Sequence, residues 1–291
     1  MRVAVVGAGG IGAVLAAAAL GAGHSVELGV RTPIPSLSLQ AVDGSWTEVA
    51  ATIRSSAATV TGPADVVLLT VKATDTASAG PWLEAWCAAG TVLGVVQNGL
   101  DHEARVASLV PAGVEVAPVL AYMAAERLSD GRVRHISGRR LVVPATAVSP
   151  LAAALPSLGV VGTDQMLTET WRKLLANAVA NPLTALTMRR VGVLAEPGVA
   201  DLARGVLGEA IAVGRSSGAV LDDALIDEIV VGTGRYGPHT GSSMLYDRLA
   251  GRHMEHQYIT GEIVRRGRAL GIPVPLNAAL LALLDAIDRA V

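Results

Sequence analysis

The chain of 291 residues holds a single cysteine, Cys87, so no disulfide can form within it, and a reducing cytoplasm suits it best. It has no Lys/Arg run of five or more, and its net charge is only −2. The electrostatic footprint of nucleic-acid or membrane-surface binding is therefore missing. Lysine is scarce too: of the 23 basic residues only Lys72 and Lys173 are lysines, and the other 21 are arginines. Asparagine occurs four times, at Asn98, Asn177, Asn181 and Asn277. Where a chain rich in Ala, Val, Gly and Arg keeps a lysine, a neighbour can be what demands it. A desolvated lysine can lose its proton, and an arginine cannot. Charge is also absent from Val3 to Gly23, a stretch long enough to span a bilayer. Six of its residues are glycine, four of them between Gly7 and Gly12, and that cluster would break a spanning helix or a signal-peptide core early. No membrane partner is expected.

The length suits one large or two medium domains, and 51% hydrophobic residues are ample for a core. Strand and helix signals alternate through the first half. Arg2–Val6 and Ser25–Val30 read as strands around a helix at Ile11–Ala22. Leu37–Val42 and Trp46–Ile53 flank Asp43-Gly44, a hairpin signal. Asp65–Val71 and Thr91–Val96 have the nearly continuous apolar pattern of strands buried on both faces. Between them Ala73–Ala88 reads as a helix in two pieces, broken at Gly80-Pro81, and stretches near Val114–Leu120 and Arg132–Val143 look antiparallel. Such alternation predicts an α/β fold with a doubly wound sheet. From Leu167 onward helical periods dominate, at Leu167–Ala180, Val199–Ser216, Asp222–Val231, His256–Leu270 and Leu276–Ala290. The boundary is expected near 160–166, giving domains 1–163 and 164–291.

Gly7-Ala8-Gly9-Gly10-Ile11-Gly12 is a G-x-G-x-x-G between the first strand and an alanine-rich helix. Gly7, Gly9, Gly10 and Gly12 would give the tight turn, the close approach to a pyrophosphate and the helix–strand packing of a Rossmann-type dinucleotide site. The helix N-terminus would then face the phosphates. An NAD site places an acid at the end of the second strand, but here the chain reads Gly29-Val30-Arg31-Thr32, and Glu27 lies inside the strand. Arg31 suits the 2′-phosphate of NADP, which a carboxylate would repel. Lys72 and Asn98 each follow a buried strand, at the end where open α/β sheets bind ligands. A solvated lysine and an Asn-Gly turn are the plainer readings of the two. Lys173, Asn177 and Asn181 are spaced i, i+4, i+8 on an otherwise apolar helix, a costly row unless it finds partners, and Pro182 should kink or end that helix. A stripe toward solvent or toward another subunit is the alternative. Reducing a ketone needs a donor for the developing alkoxide and a proton for the oxygen, and a lysine ammonium supplies both.

Together these residues resemble the ketopantoate reductase family. The resemblance rests on the N-terminal glycine motif, Lys72, Asn98-Gly99, the segment from Trp171 to Ala185 with Lys173, Asn177 and Asn181, and Ser242 to Asp247 with Glu255 twelve residues after Ser243. It implies a Rossmann domain followed by an all-helical domain like that of 6-phosphogluconate dehydrogenase, with the active site in the cleft. It implies that Lys173 is the general acid, that Asn177, Asn181 and Ser243 hold a small 2-keto acid, and that Lys72, Asn98 and Glu255 lie around the nicotinamide half of NADPH and the reacting centre. Ala125 would match a backbone contact to the cofactor. Three positions depart from the family pattern: Thr260 stands where Asn is usual, Tyr246 where Gln is usual, and Val191 where a substrate-binding Asn can occur. A 3-hydroxyacid dehydrogenase and a non-catalytic NADPH sensor are the rival readings. His253 and His256 around Glu255 give only a weak metal pattern, and no metal is expected. The apolar faces of the helical half would suit a homodimer.

Overall fold

The structure, a computed structural model, describes residues 1–232 and 240–291. His239, which shows no pattern in the sequence, falls outside these. The chain divides into two compact units, Met1–Gln97 with Asp101–Met166, and Asn98–Leu100 with Leu167–Val291.

The strands of the first unit are β1 (Arg2–Val6), β2 (Ser25–Gly29), β3 (Ser38–Gln40), β4 (Trp46–Glu48), β5 (Thr52–Arg54), β6 (Val66–Leu69), β7 (Val92–Val95), β8 (Glu115–Pro118), β9 (Leu120–Arg127), β10 (Val133–Pro144) and β11 (Gly159–Thr163). Its helices are α1 (Gly10–Gly21), α2 (Gly80–Trp86), α3 (His102–Val106) and α4 (Val148–Ala154). Six strands make a parallel sheet in the order β5-β2-β1-β6-β7-β8. The order reverses direction between β1 and β6, where doubly wound sheets open their ligand crevice. Side chains alternate across this sheet. Val3, Val5, Val66 and Leu68 enter one apolar cluster, while Ala4, Val6, Val67 and Leu69 enter the other. Burial on both faces is why these strands read as unbroken apolar runs. Helix α1 packs on β1 and β2 and also on β3, β9 and β10 of a second sheet, so its small apolar residues are covered on two sides. That double cover explains the charge-free stretch from Val3 to Gly23. Among the described residues no helix is long and apolar enough to cross a membrane.

Several local expectations need correction. The Asp43-Gly44 hairpin exists, with β3 and β4 antiparallel and Gly44 at φ +89°. Its second arm stops at Glu48, because Thr52–Arg54 pairs with β2 in the other sheet. Gly80-Pro81 opens α2 rather than breaking a helix, and residues 73–79 form two short 3-10 turns. Proline in a first turn loses no intrahelical hydrogen bond. Strand β8 is parallel to β7, and the antiparallel partner of β10 is β9, a strand of mostly half-buried residues whose sequence carries no clear alternation.

The second unit contains α5 (Met166–Thr187), α6 (Pro197–Ser216), α7 (Ala224–Gly232), α8 (Ser243–Leu249), α9 (His256–Leu270) and α10 (Pro275–Asp288). Helix α6 packs against α7, α9 and α10 around one apolar core, which also takes Trp171, Leu174, Leu175 and Ala178 of α5. Of the two outcomes expected at Pro182, a kink or an end, the end does not occur, since α5 runs through the proline. The helix forgoes one backbone bond there, while Leu183 and Ala185 beyond the proline are buried in the core and hold the continuation in place. The Thr184 hydroxyl adds a bond to the Ala180 carbonyl at 2.6 Å.

Candidate active site

In the first unit the glycine motif forms the turn from β1 into α1. Gly7 sits at φ +112°, a conformation that excludes other L-residues in practice. A Cβ on Gly12 would overlap the Gly7 carbonyl and approach Thr70 Oγ1 to 2.6 Å, so only glycine lets the helix sit this close to the β6 end. Gly10 faces the carbonyl of Ala125 on β9, leaving 2.7 Å to the place of a Cβ. Gly9 differs, since the place of its Cβ meets no protein atom within 4 Å. The first turn of α1 has no side-chain cap and no acidic residue. Uncapped amides beside open space are the arrangement that receives a pyrophosphate, so the residues present fit a dinucleotide.

At the end of β2 the side chain of Arg31 is 78% exposed and lies 3.5 Å from Asp75. Glu27, the nearest acid, is engaged elsewhere. Arg2 bonds it at 2.9 Å, and Arg54 bonds its other oxygen. Burial raises the Glu27 pKa, but the hydrogen bonds and charges of Arg54 and Arg2 outweigh it and hold the carboxyl below its ordinary value. With Glu27 consumed, the strand end is left with the arginine. Lys72 is half-buried and lies three residues past β6, and Asn98 lies three residues past β7, the parallel neighbour of β6.

In the second unit the predicted row is real. Lys173, Asn177 and Asn181 project from α5 at successive turns, and each of the two asparagines meets a residue from elsewhere in the chain. Asn177 Nδ2 donates to Asn98 Oδ1 at 3.3 Å, and Asn98 Nδ2 donates to Glu255 Oε2 at 3.2 Å. Asn181, 3% exposed, accepts from Ser243 Oγ at 3.3 Å and from the Met244 amide at 3.5 Å. Six residues from sequence positions 98 to 255 therefore share one polar strip on an apolar helix bundle. Lys173 keeps part of its surface, yet desolvation of its ammonium pushes its pKa down to about 8. A neutral amine costs less than an ammonium where water is excluded, and such shifts concentrate where proton transfer happens.

The three departures fall on different surroundings. Val191 is buried and packs in the core of the second unit. The Tyr246 hydroxyl accepts from the Gly241 amide at 3.1 Å and from Arg190 at 3.3 Å. Thr260 is fully buried, and its hydroxyl has no hydrogen-bond partner. His253 and His256 pair with Asp288 and Asp285 at 3.1 and 2.9 Å. Among the described residues no group of three or more His, Cys, Asp or Glu could hold a metal.

Sequence reasoning overlooked two hydroxyls and an amide. Ser242 caps α8 by accepting from the Leu245 amide at 3.1 Å, and it shares a 2.6 Å bond with Thr184, which supports Ser243 from beneath. The residue three after Ser242 is the apolar Leu245, so no capping-box pattern marks this cap in the sequence. Gln97, next to Asn98, is buried and bonded on every side.

Comparison with known proteins settles the family. The description "Ketopantoate reductase PanE/ApbA" matches residues 3–147, and its C-terminal counterpart matches 165–288. The 2-dehydropantoate 2-reductase of Mycobacterium tuberculosis is 37% identical over 287 residues, covering 98% of this chain and 97% of that one. The chain belongs to the ketopantoate reductase family. A crystal structure of a PanE/ApbA family ketopantoate reductase from Ralstonia eutropha JMP134 superposes with a TM-score of 0.86 at 32% identity, covering 100% of this chain and 99% of that one. A ketopantoate reductase from Staphylococcus aureus, described as dimeric, shares the fold with a TM-score of 0.89 at 21% identity, over 100% of this chain and 99% of that one. The Rossmann-type unit followed by a helical unit is thus the family's architecture.

One consequence of the Asn98–Glu255 bond is open to measurement. Asn98→Asp sets a second carboxylate against a buried one. Stability at pH 7.5 should fall by about 1–3 kcal/mol, and much of the loss should return at pH 5, where the pair can share a proton. Thermal unfolding at the two pH values reads this, and an equal loss at both would contradict the repulsion.

Proposed function

We propose that this protein uses NADPH to reduce a 2-keto acid, 2-dehydropantoate, to (R)-pantoate for pantothenate biosynthesis. The observation that carries the proposal is the Lys173 amine, desolvated to a pKa of about 8 on the same helix face as Asn177 and Asn181. Family membership supports the same reaction, since the M. tuberculosis relative bears that enzyme's name.

NADPH supplies a hydride to the keto carbon when bound. The residues that would hold it are Gly7, Gly9, Gly10 and Gly12 at the pyrophosphate, Arg31 at the 2′-phosphate, and Lys72, Asn98, Ala125 and Glu255 toward the nicotinamide. Asn177, Asn181 and Ser243 orient the keto acid through uncharged hydrogen bonds, which add no fixed charge beside Lys173. As negative charge grows on the ketone oxygen, the Lys173 ammonium stabilises it and then gives up its proton. A pKa of about 8 lets one amine be protonated at the start and release its proton easily at the end. Glu255, bonded to Asn98, anchors that amide and supplies the negative charge that balances the ammonium in the loaded site.

We also propose a homodimer, as described for the S. aureus protein. A cytoplasmic location fits Cys87, a lone buried thiol whose pKa desolvation pushes up to about 12, leaving it inert.

Because the acid must enter protonated, kcat/KM for reduction should be flat below pH 8 and fall about tenfold per unit above it. Lys173→Ala should lower kcat by about 10²–10⁴-fold, and near-normal turnover in that variant would remove Lys173 from the role. Arg31→Glu should raise the KM for NADPH far more than that for NADH, and equal effects on both would remove Arg31 from the 2′-phosphate. NADPH oxidation across a panel of 2-keto acids, ketopantoate included, tests the substrate. Preference for a 3-hydroxy acid, or binding without turnover, would replace the reading.

A further inference from the structure

The backbone ladder between β6 and β7 ends at the pair Leu69–Val95, and the Val96 amide makes one further bond to the Leu69 carbonyl at 2.9 Å. Lys72 lies three residues past that ladder. What ties the two strand ends together beyond it is the side chain of Gln97. Its Nε2 donates to the Val71 carbonyl at 3.0 Å, to the Lys72 carbonyl at 3.4 Å and to Thr76 Oγ1 at 3.0 Å. On the opposite side its Oε1 accepts from Arg105 Nη1 at 2.9 Å. His102 Nε2 meets the Gln97 main-chain oxygen at 2.8 Å. The guanidinium fixes which end of the amide carries oxygen, so the NH₂ must face the two carbonyls. A glutamate there would set an oxygen against Val71, and an apolar side chain would take this donor from the Val71 carbonyl, whereas the Lys72 carbonyl also accepts from the Asp75 amide at 2.9 Å.

We propose that Gln97 is a positioning residue for Lys72: its amide sets the course of the backbone that delivers the Lys72 ammonium to the dinucleotide. The inference rests on the reading that Lys72 faces the cofactor, and it adds a residue whose effect passes through another. Gln97 itself is buried, so its effect passes through the backbone it holds.

The test is a double-mutant cycle read by direct NADPH binding, through nicotinamide fluorescence, with no turnover involved. Gln97→Glu keeps the Arg105 partner and loses the donor, and Gln97→Met keeps the volume. Each should weaken NADPH binding about tenfold, the cost of misplacing one contact. In a Lys72→Ala background the same substitutions should add less than about twofold, because residues in one network are not additive. A residue that served stability alone would lower the melting temperature and leave the dissociation constant in place. Equal weakening in both backgrounds, unchanged affinity, or a Lys72→Ala variant that binds normally would each overturn the proposal. Wild-type binding is read first and separately. A wild type that binds no NADPH overturns the functional reading itself, whereas normal wild-type binding with additive variants overturns only the role of Gln97.

Discussion

The account turns on the cost of keeping a charge out of water. Helix α5 is largely apolar, and its Trp171, Leu174, Leu175 and Ala178 are buried in the core of the second unit. An ammonium carried by such a helix is poorly solvated, and the protein answers by lowering its pKa to about 8. Arginine in the same place could not answer that way. The one chemical property that a chain so poor in lysine retains here is an amine able to trade its proton near neutral pH.

The polar strip around that amine is built from uncharged or internally paired groups. Asn177 donates to Asn98, Asn181 accepts from Ser243, and Asn98 donates in turn to Glu255. Amides hold a substrate without adding fixed charge, so the electrostatics of the strip are set by Lys173 and Glu255. The first unit follows a different rule. There the glycines remove side chains where backbone must approach backbone, and burying Glu27 under Arg2 and Arg54 withdraws the acid that would favour NAD.

Much of this was legible in the sequence because the signals were local. The glycine motif, the two-faced burial of β1 and β6, and the i, i+4, i+8 row each rest on a repeat of the chain's own geometry. What failed was non-local. Thr52–Arg54 continues a hairpin by pattern but pairs with β2 by topology, and β8 joins the parallel sheet although the two strands that follow it in sequence, β9 and β10, pair antiparallel. Pro182 lets a helix kink or end by local rule, and burial of Leu183 and Ala185 is what keeps α5 from ending there. Gln97 carries no local signal in the sequence, because its partners lie 21 to 26 residues earlier and eight residues later. The family resemblance supplied the roles of Ser243 and Glu255, which no periodicity in the chain singles out.

Having two lysines makes the central claim directly observable. Protein labelled with ¹⁵N in the lysine side chains should give two ammonium signals, assigned by loss of one in Lys173→Arg. The Lys173 signal should titrate with a midpoint near pH 8 in the enzyme free of cofactor. A midpoint at the ordinary lysine value, about 10.4, would show a solvated amine and contradict the account.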